Sequence, residues 1–277
     1  MTNATKKRNK ENKLNVLVTG ASNGIGKEVA DIFLANNHFV IGLDIVEGES
    51  KENLVSFKVD ICDKNLLNNV KQYLINNNNI KLDLIINIAG IHSMASLVET
   101  NFDVIKRLID IDLIGTMNVN HTFHQFLKEN GKVIILTSEV ASFDPMPFNG
   151  LYNIAKSALE VYAQALRQEL NLLNQQVVTF QPGSIKTKLS DGSLDATKRF
   201  ADETILYKKQ AHKFYGIVKK FIGKPYQPEK LAKKIYKVCL KRRCRYTYKT
   251  HRSAGLVLLN MLPKRMQCFI IKRLLKP

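Results

Sequence analysis

Apolar and polar positions alternate along this chain in blocks. Short runs of branched apolar residues are separated by longer stretches in which apolar positions are spaced for helices. The short runs fall at about 14–19, 39–44, 54–59, 82–88, 131–138 and 176–181. Continuous apolar runs of this length predict strands covered on both faces. Strand and helix in alternation predict an α/β fold built on one doubly wound parallel sheet. Ligands of such sheets bind beyond the carboxyl ends of the strands, and Gly20, Asp44, Asp60, Asn87, Ser138 and Pro182 all fall at or just after those ends.

The first strand runs directly into Thr19-Gly20-Ala21-Ser22-Asn23-Gly24-Ile25-Gly26, and a helix is predicted from about Lys27 to Asn36. A glycine-rich turn between strand and helix is where backbone N–H groups and the helix dipole hold a pyrophosphate. The second strand ends at Asp44, eighteen residues beyond Gly26, where a nucleotide-binding unit places an acid against the adenosine ribose. A carboxylate there accepts from ribose hydroxyls and repels an additional phosphate, which predicts NAD over NADP. Further along, Tyr152 and Lys156 are one helical turn apart. A free phenol titrates near about 10, so a neighbouring ammonium is needed to bring a tyrosine into acid/base work.

Taken together, these segments resemble the short-chain dehydrogenase/reductase family, over roughly residues 14–250. Thr19 to Gly26 resembles the family's cofactor loop, with Gly20, Ser22, Asn23, Gly24, Ile25 and Gly26 as contacts, and Asp60-Ile61 its adenine contact. Asn87-Ile88-Ala89-Gly90 is similar to its Asn-x-Ala-Gly motif, with Asn87, Ala89 and Gly90 facing cofactor. Tyr152 with Lys156 resembles its Tyr-x-x-x-Lys signature, and Ser138, fourteen residues earlier, its catalytic serine. Pro182-Gly183-Ser184-Ile185-Lys186-Thr187 is similar to the segment that holds the nicotinamide carboxamide, which would use Pro182, Gly183, Ile185 and Thr187.

The resemblance implies a Rossmann-like fold and a hydride transfer in which Tyr152 exchanges a proton with the substrate oxygen. Ser138 would orient that oxygen, and Lys156 would bind the nicotinamide ribose and depress the Tyr152 pKa. One position departs from the pattern: Asp112 stands where the family has the asparagine of a proton relay. An ionised aspartate only accepts hydrogen bonds, and its charge near Lys156 would favour the ammonium or attract a proton itself, so Asp112 is either an active relay member or a buried helix carboxylate paired with backbone or water.

With 277 residues, 45% of them hydrophobic, the chain is large enough for one substantial core. The predicted organisation is a polar basic extension over 1–13, a nucleotide-binding domain over 14–250 with a substrate lid at about 188–227, and a basic amphipathic tail over 251–277. Cys62, Cys239, Cys244 and Cys268 lack metal-ligand spacing. The six histidines are scattered, with His121 and His124 read as packing or surface residues, so no metal site is expected. Four thiols without a secretory signal predict a reducing, cytoplasmic setting.

Charge changes this picture at one end. The net charge is +18, yet 21 of the 42 Lys and Arg lie beyond residue 204, alongside the single acid Glu229. The tail's apolar stretches, 254–259 and 268–271, are too short to span a bilayer. A helix on an anionic membrane surface, a cover for the substrate pocket and a subunit contact remain open, as does membrane association of an otherwise cytoplasmic protein. No nucleic-acid recognition motif accompanies the charge, so nucleic acid is not an expected partner.

Phe143, Met146, Phe148, Leu189, Phe200, Ile205, Leu206, Tyr207, Phe214 and Tyr215 are candidates for an apolar cavity, which suits a hydrophobic small molecule. Arg243-Cys244-Arg245-Tyr246 with Leu262-Pro263 also looks like the tail of family members acting on steroids and retinoids. The functions that follow are an NAD-dependent oxidoreductase for a hydroxysteroid or bile acid, a 3-oxoacyl-thioester reductase, or a non-catalytic nucleotide-sensing or membrane-surface protein. The family resemblance further implies a homodimer or homotetramer.

Overall fold

In the computed structural model of this chain, which describes residues 13–186, 188–221 and 226–276, the apolar runs are assembled into one sheet. Its strands are β1 (Asn15–Thr19), β2 (Phe39–Asp44), β3 (Leu54–Lys58), β4 (Leu82–Asn87), β5 (Leu127–Leu136), β6 (Gln176–Pro182) and β7 (Thr247–Thr250). They lie in the order β3-β2-β1-β4-β5-β6-β7, and every neighbouring pair is parallel. The winding direction reverses between β1 and β4, which opens a crevice at their carboxyl ends.

Successive residues of a strand face opposite sides, and the two cores follow from that alternation. Helices α1 (Gly24–Ala35) and α8 (Pro228–Cys239) bring Val29, Phe33, Leu231 and Ile235 onto Val16, Val18 and Ile86. On the opposite face, α2 (Lys64–Asn76), α4 (Thr116–Phe123) and α5 (Gly150–Asn171) bring Leu67, Phe123, Leu159 and Ala163 onto Leu17, Ile41 and Ile85. Each Val, Leu, Ile or Phe among them contributes roughly 1.5–3 kcal/mol on burial.

Two local features set up the site. Helix α3 (Phe102–Ile109) continues through a π-helical turn, Asp110–Gly115, into α4. The wide turn carries Asp112 into the interior, where it is fully buried. Beyond β6, α6 (Lys188–Glu203) and α7 (Lys208–Phe221) pack on each other as an arm over the sheet's end. Then α9 (Ala254–Asn260) and α10 (Lys264–Leu275) close the chain, with α10 resting on α7.

The strand pattern differs from the sequence expectation in two places. β5 starts at Leu127 rather than near 131, because Leu82 pairs with Leu127 before a register shift carries the pairing on to Leu84 and Lys132. β7 was not expected. Its sequence, Thr247-Tyr248-Lys249-Thr250, has no apolar run, and it is a strand because β6 supplies the ladder and Phe180 stacks on Tyr248 at 5.2 Å.

Candidate active site

The turn between β1 and α1 explains its own glycines. Gly20 has φ +70°, and a Cβ there would lie 3.2 Å from the backbone of Ala89. A Cβ on Gly26 would come within 2.0 Å of the Gly20 carbonyl oxygen, so glycine lets α1 sit directly on the turn. Asn23 takes the N-cap position without a side-chain hydrogen bond to the helix, which leaves first-turn N–H groups available to an anion. The turn borders a cavity of about 700 Å³ whose walls include Asn23, Gly24, Ile25, Asp44, Asp60, Ile61, Ala89 and Gly90. Anion donors at one end and a carboxylate further along fit the adenosine and pyrophosphate of a dinucleotide.

Asp44 ends β2 with both carboxylate oxygens engaged by backbone: Ser22 N–H donates to Oδ2 at 2.9 Å and Val46 N–H to Oδ1 at 3.0 Å. Ser22 therefore fastens the glycine turn to β2. Asp60 accepts from the Cys62 N–H at 2.9 Å, which shapes the turn that buries Ile61.

Several residues read as cofactor contacts also have a packing role in the structure. Asn87 is buried and donates from Nδ2 to Asn120 Oδ1 at 2.9 Å, which ties β4 to α4. Pro182 closes the β6 ladder opposite Thr250. A Cβ on Gly183 would meet the His251 carbonyl oxygen at 2.0 Å, so the glycine serves the approach of β7. Ile185 is buried in the core beneath α8 and its backbone bridges to Tyr226. Thr187 and the side chain of Leu189 lie outside the described residues.

The proton-transfer residues do converge. Ser138, buried at the end of β5, opens a short 3-10 turn (Glu139–Ser142) and accepts from Val140 N–H at 3.4 Å. α5 presents Tyr152 and Lys156 one turn apart. It is locked to the serine loop by Asn153, whose Nδ2 donates to the carbonyl oxygens of Val140 (2.7 Å) and Phe143 (3.2 Å). Ser138 sits beside the Tyr152 phenol and works to lower its pKa, and Lys156 Nζ lies 5.5 Å from the centre of the tyrosine ring.

Asp112 completes the group. Its Oδ2 faces Lys156 Nζ at 2.9 Å in a buried ion pair, and its Oδ1 accepts from Ile91 N–H at 2.7 Å. A Cβ on Gly90 would sit 3.1 Å from Asp112 Oδ1 and 3.2 Å from Lys156 Nζ, so this glycine makes room for the pair. Burial works to lower the Lys156 pKa, but the Asp112 and Tyr152 charges prevail and raise it. Lys156 stays an ammonium.

For Tyr152 the expectation of a depressed pKa is corrected. Burial pushes the phenol up; Lys156 pulls it down, Asp112 pushes up again, and the net shift is upward. Lys156 has the expected effect, with less weight than desolvation.

His92, absent from the residues expected at the site, packs edge-on against Tyr152 with ring centres 4.7 Å apart. Its Nε2 pairs with Asn149 Oδ1 at 3.1 Å, and its Nδ1 is buried without a hydrogen-bond partner among the described residues. Burial lowers its pKa, so a neutral imidazole stands beside the phenol. Only its place two residues past Gly90 could have pointed to it.

The comparisons with known proteins agree with this geometry. The family model for short chain dehydrogenase matches residues 14–198. The chain belongs to the short-chain dehydrogenase family. Members are oxidoreductases that act on CH–OH and keto groups with a nicotinamide cofactor. The short-chain dehydrogenase is 29% identical over 185 residues to an NADPH-dependent 1-acyldihydroxyacetone phosphate reductase of Schizosaccharomyces pombe, covering 65% of this chain and 62% of that protein. It is 25% identical over 178 residues to a 3-ketodihydrosphingosine reductase of Bacteroides thetaiotaomicron, covering 64% and 65%. The match thus spans somewhat under two thirds of these relatives. A short chain dehydrogenase family protein from Francisella tularensis superposes with TM-score 0.71 at 25% identity, over 86% of this chain and 96% of that one.

The residues read as a substrate cavity divide. Phe148 packs against Phe200, Tyr207 and Phe214 with ring centres 4.8–5.6 Å apart, which fastens the arm to the loop before α5. Phe143 lies under the Arg252 guanidinium at 4.3 Å. Phe200 also borders a second cavity, of about 760 Å³, together with Ile205, Leu206, His92 and Met94. Among the described residues there is no cluster suited to a metal ion.

Proposed function

We propose that this short-chain dehydrogenase uses NAD to interconvert a secondary alcohol and a ketone on a hydrophobic, lipid-like molecule. The observation that carries the reading is the Tyr152 phenol, next to Ser138 and set beside an ammonium that Asp112 keeps charged. A nicotinamide ring, when bound, supplies or accepts the hydride. In the reducing direction Tyr152 gives its proton to the substrate oxygen, and Ser138 donates to that oxygen as negative charge develops on it. Lys156 stabilises the phenolate left behind. In the oxidising direction the phenolate takes the alcohol proton.

A lipid-like substrate is supported by Met94, Phe200, Ile205 and Leu206 on the cavity that His92 also borders, and by the relatives named as reductases of 1-acyldihydroxyacetone phosphate and 3-ketodihydrosphingosine. The steroid-like substrate is one member of this wider class. NAD is supported by Asp44, whose carboxylate would repel the additional phosphate of NADP. NADPH is a second reading, favoured by Lys106 and Arg107 on the cofactor cavity and by the relative named NADPH-dependent.

Following NADH and NADPH absorbance over acyl-chain ketones, hydroxysteroids and 3-oxoacyl thioesters tests both points. Turnover is expected on the lipid ketones or steroids, with kcat/KM for NADH at least about tenfold above NADPH, a difference of ~1.4 kcal/mol. Activity confined to thioesters removes the substrate reading, and a preference for NADPH removes the cofactor reading.

A further inference from the structure

The carboxyl-terminal segment leaves a face uncovered among the described residues. Residues 251–277 hold six Lys and Arg and no acid. Leu258, Met261, Met266, Phe269 and Leu274 are 49–76% exposed. On α10, Phe269 has Arg265 one turn before it and Lys272 and Arg273 one turn after, so its apolar ring is framed by cations. Gln267 and Leu275 are the residues α10 buries.

This segment is also fastened to the catalytic loop. Ser253 N–H donates to the buried Glu139 at 2.7 Å, directly after Ser138. Asp144 N–H donates to Asn260 Oδ1 at 2.6 Å, Gln267 Nε2 donates to Asp144 Oδ2 at 3.0 Å, and Lys264 pairs with Asp144 at 3.4 Å.

We propose that α9 and α10 form a docking surface for an anionic membrane, with Met266 and Phe269 entering the interface and Arg265, Lys272 and Arg273 contacting lipid headgroups. No described helix is long and apolar enough to cross a bilayer, so the contact is peripheral. Charge selects this occupant. A second copy of the same face would set the four cations of α10 against four of their own kind, and nucleic acid would leave the exposed Phe and Met without a partner. An anionic lipid surface takes both the charges and the apolar side chains. Because the tail is tied to the loop behind Ser138, docking holds the catalytic end of the sheet near the lipid. The docking claim stands independently of the substrate reading.

Co-sedimentation of the full chain with phosphatidylcholine vesicles, with and without phosphatidylserine, tests it. Binding is expected only with phosphatidylserine, and it is expected to fall steeply as ionic strength rises. Replacing Arg265, Lys272 and Arg273 together by Glu should weaken binding at least about a hundredfold, since each cation contributes roughly fivefold. F269D should weaken it severalfold, and both variants should keep wild-type circular dichroism and cofactor binding. Equal binding to both vesicle types, no binding to either, or anionic binding unaffected by both variants overturns the proposal. So does a change of oligomeric state in F269D by sedimentation equilibrium when the wild type ignores vesicles, which would make the face a contact between copies.

Discussion

At the scale of single residues, the chemistry turns on how Asp112 and burial share control of one phenol. Asp112 raises the pKa of both Lys156 and Tyr152, so its charge keeps the lysine protonated while making the phenolate harder to form. In D112N the amide oxygen can still accept from Ile91 N–H, and the negative charge is gone. The Tyr152 pKa then falls for as long as Lys156 stays charged. Alcohol oxidation needs the phenolate and rises with pH, so this rise is expected at lower pH in D112N; ketone reduction, which needs the phenol, is expected to fail at lower pH too. Profiles of kcat/KM against pH in both directions check this, and superposable profiles contradict it. Tyr152, Lys156 and Ser138 were legible in the sequence because helix periodicity and a strand end fix them. The Asp112–Lys156 pair depends on a π-helical turn and a loop closing across 44 positions, and His92 on how the chain leaves β4, neither of which short-range pattern encodes.

Elements show the same division between local and long-range information. Six strands were readable from buried apolar runs, whereas β7 exists by pairing with β6. The arm over the substrate side is held by a contact no pattern announces. Glu99 accepts from Thr204 Oγ1 at 2.5 Å and from the N–H groups of Ile205 and Leu206 at 2.9 Å each, just beyond α6. Those donors, the Leu206 N–H foremost, hold the Glu99 pKa below its usual value. A carboxyl whose folded pKa is depressed contributes at pH above its unfolded value and loses that contribution on acidification. E99A should therefore speed limited proteolysis around residues 204–208 and raise KM for the organic substrate severalfold, with cofactor affinity unchanged. E99Q, which keeps an acceptor, should fall between. Wild-type KM and wild-type cleavage in E99A would remove the latch.

Over the whole molecule, one sheet brings two kinds of site to its carboxyl edge. β1 and β2 carry the glycine turn and Asp44, while β5 leads to Ser138 and α5 presents Tyr152 and Lys156 beside it. The fold was legible because the apolar blocks record strand burial directly. The cofactor side was legible as a motif, and the structure adds that Asn87, Gly183 and Ile185 also serve packing. The uneven charge was visible in the sequence, but its attachment to the Ser138 loop required the structure. The claim that unites these parts is that Tyr152 moves the proton once cofactor and substrate are in place. Steady-state turnover of Y152F, followed by nicotinamide absorbance with a substrate on which the wild type is active, tests it most directly, alongside cofactor binding by fluorescence titration. Turnover is expected to fall by about 10²–10⁴ with cofactor affinity unchanged; Y152F turning over near the wild-type rate would contradict the account.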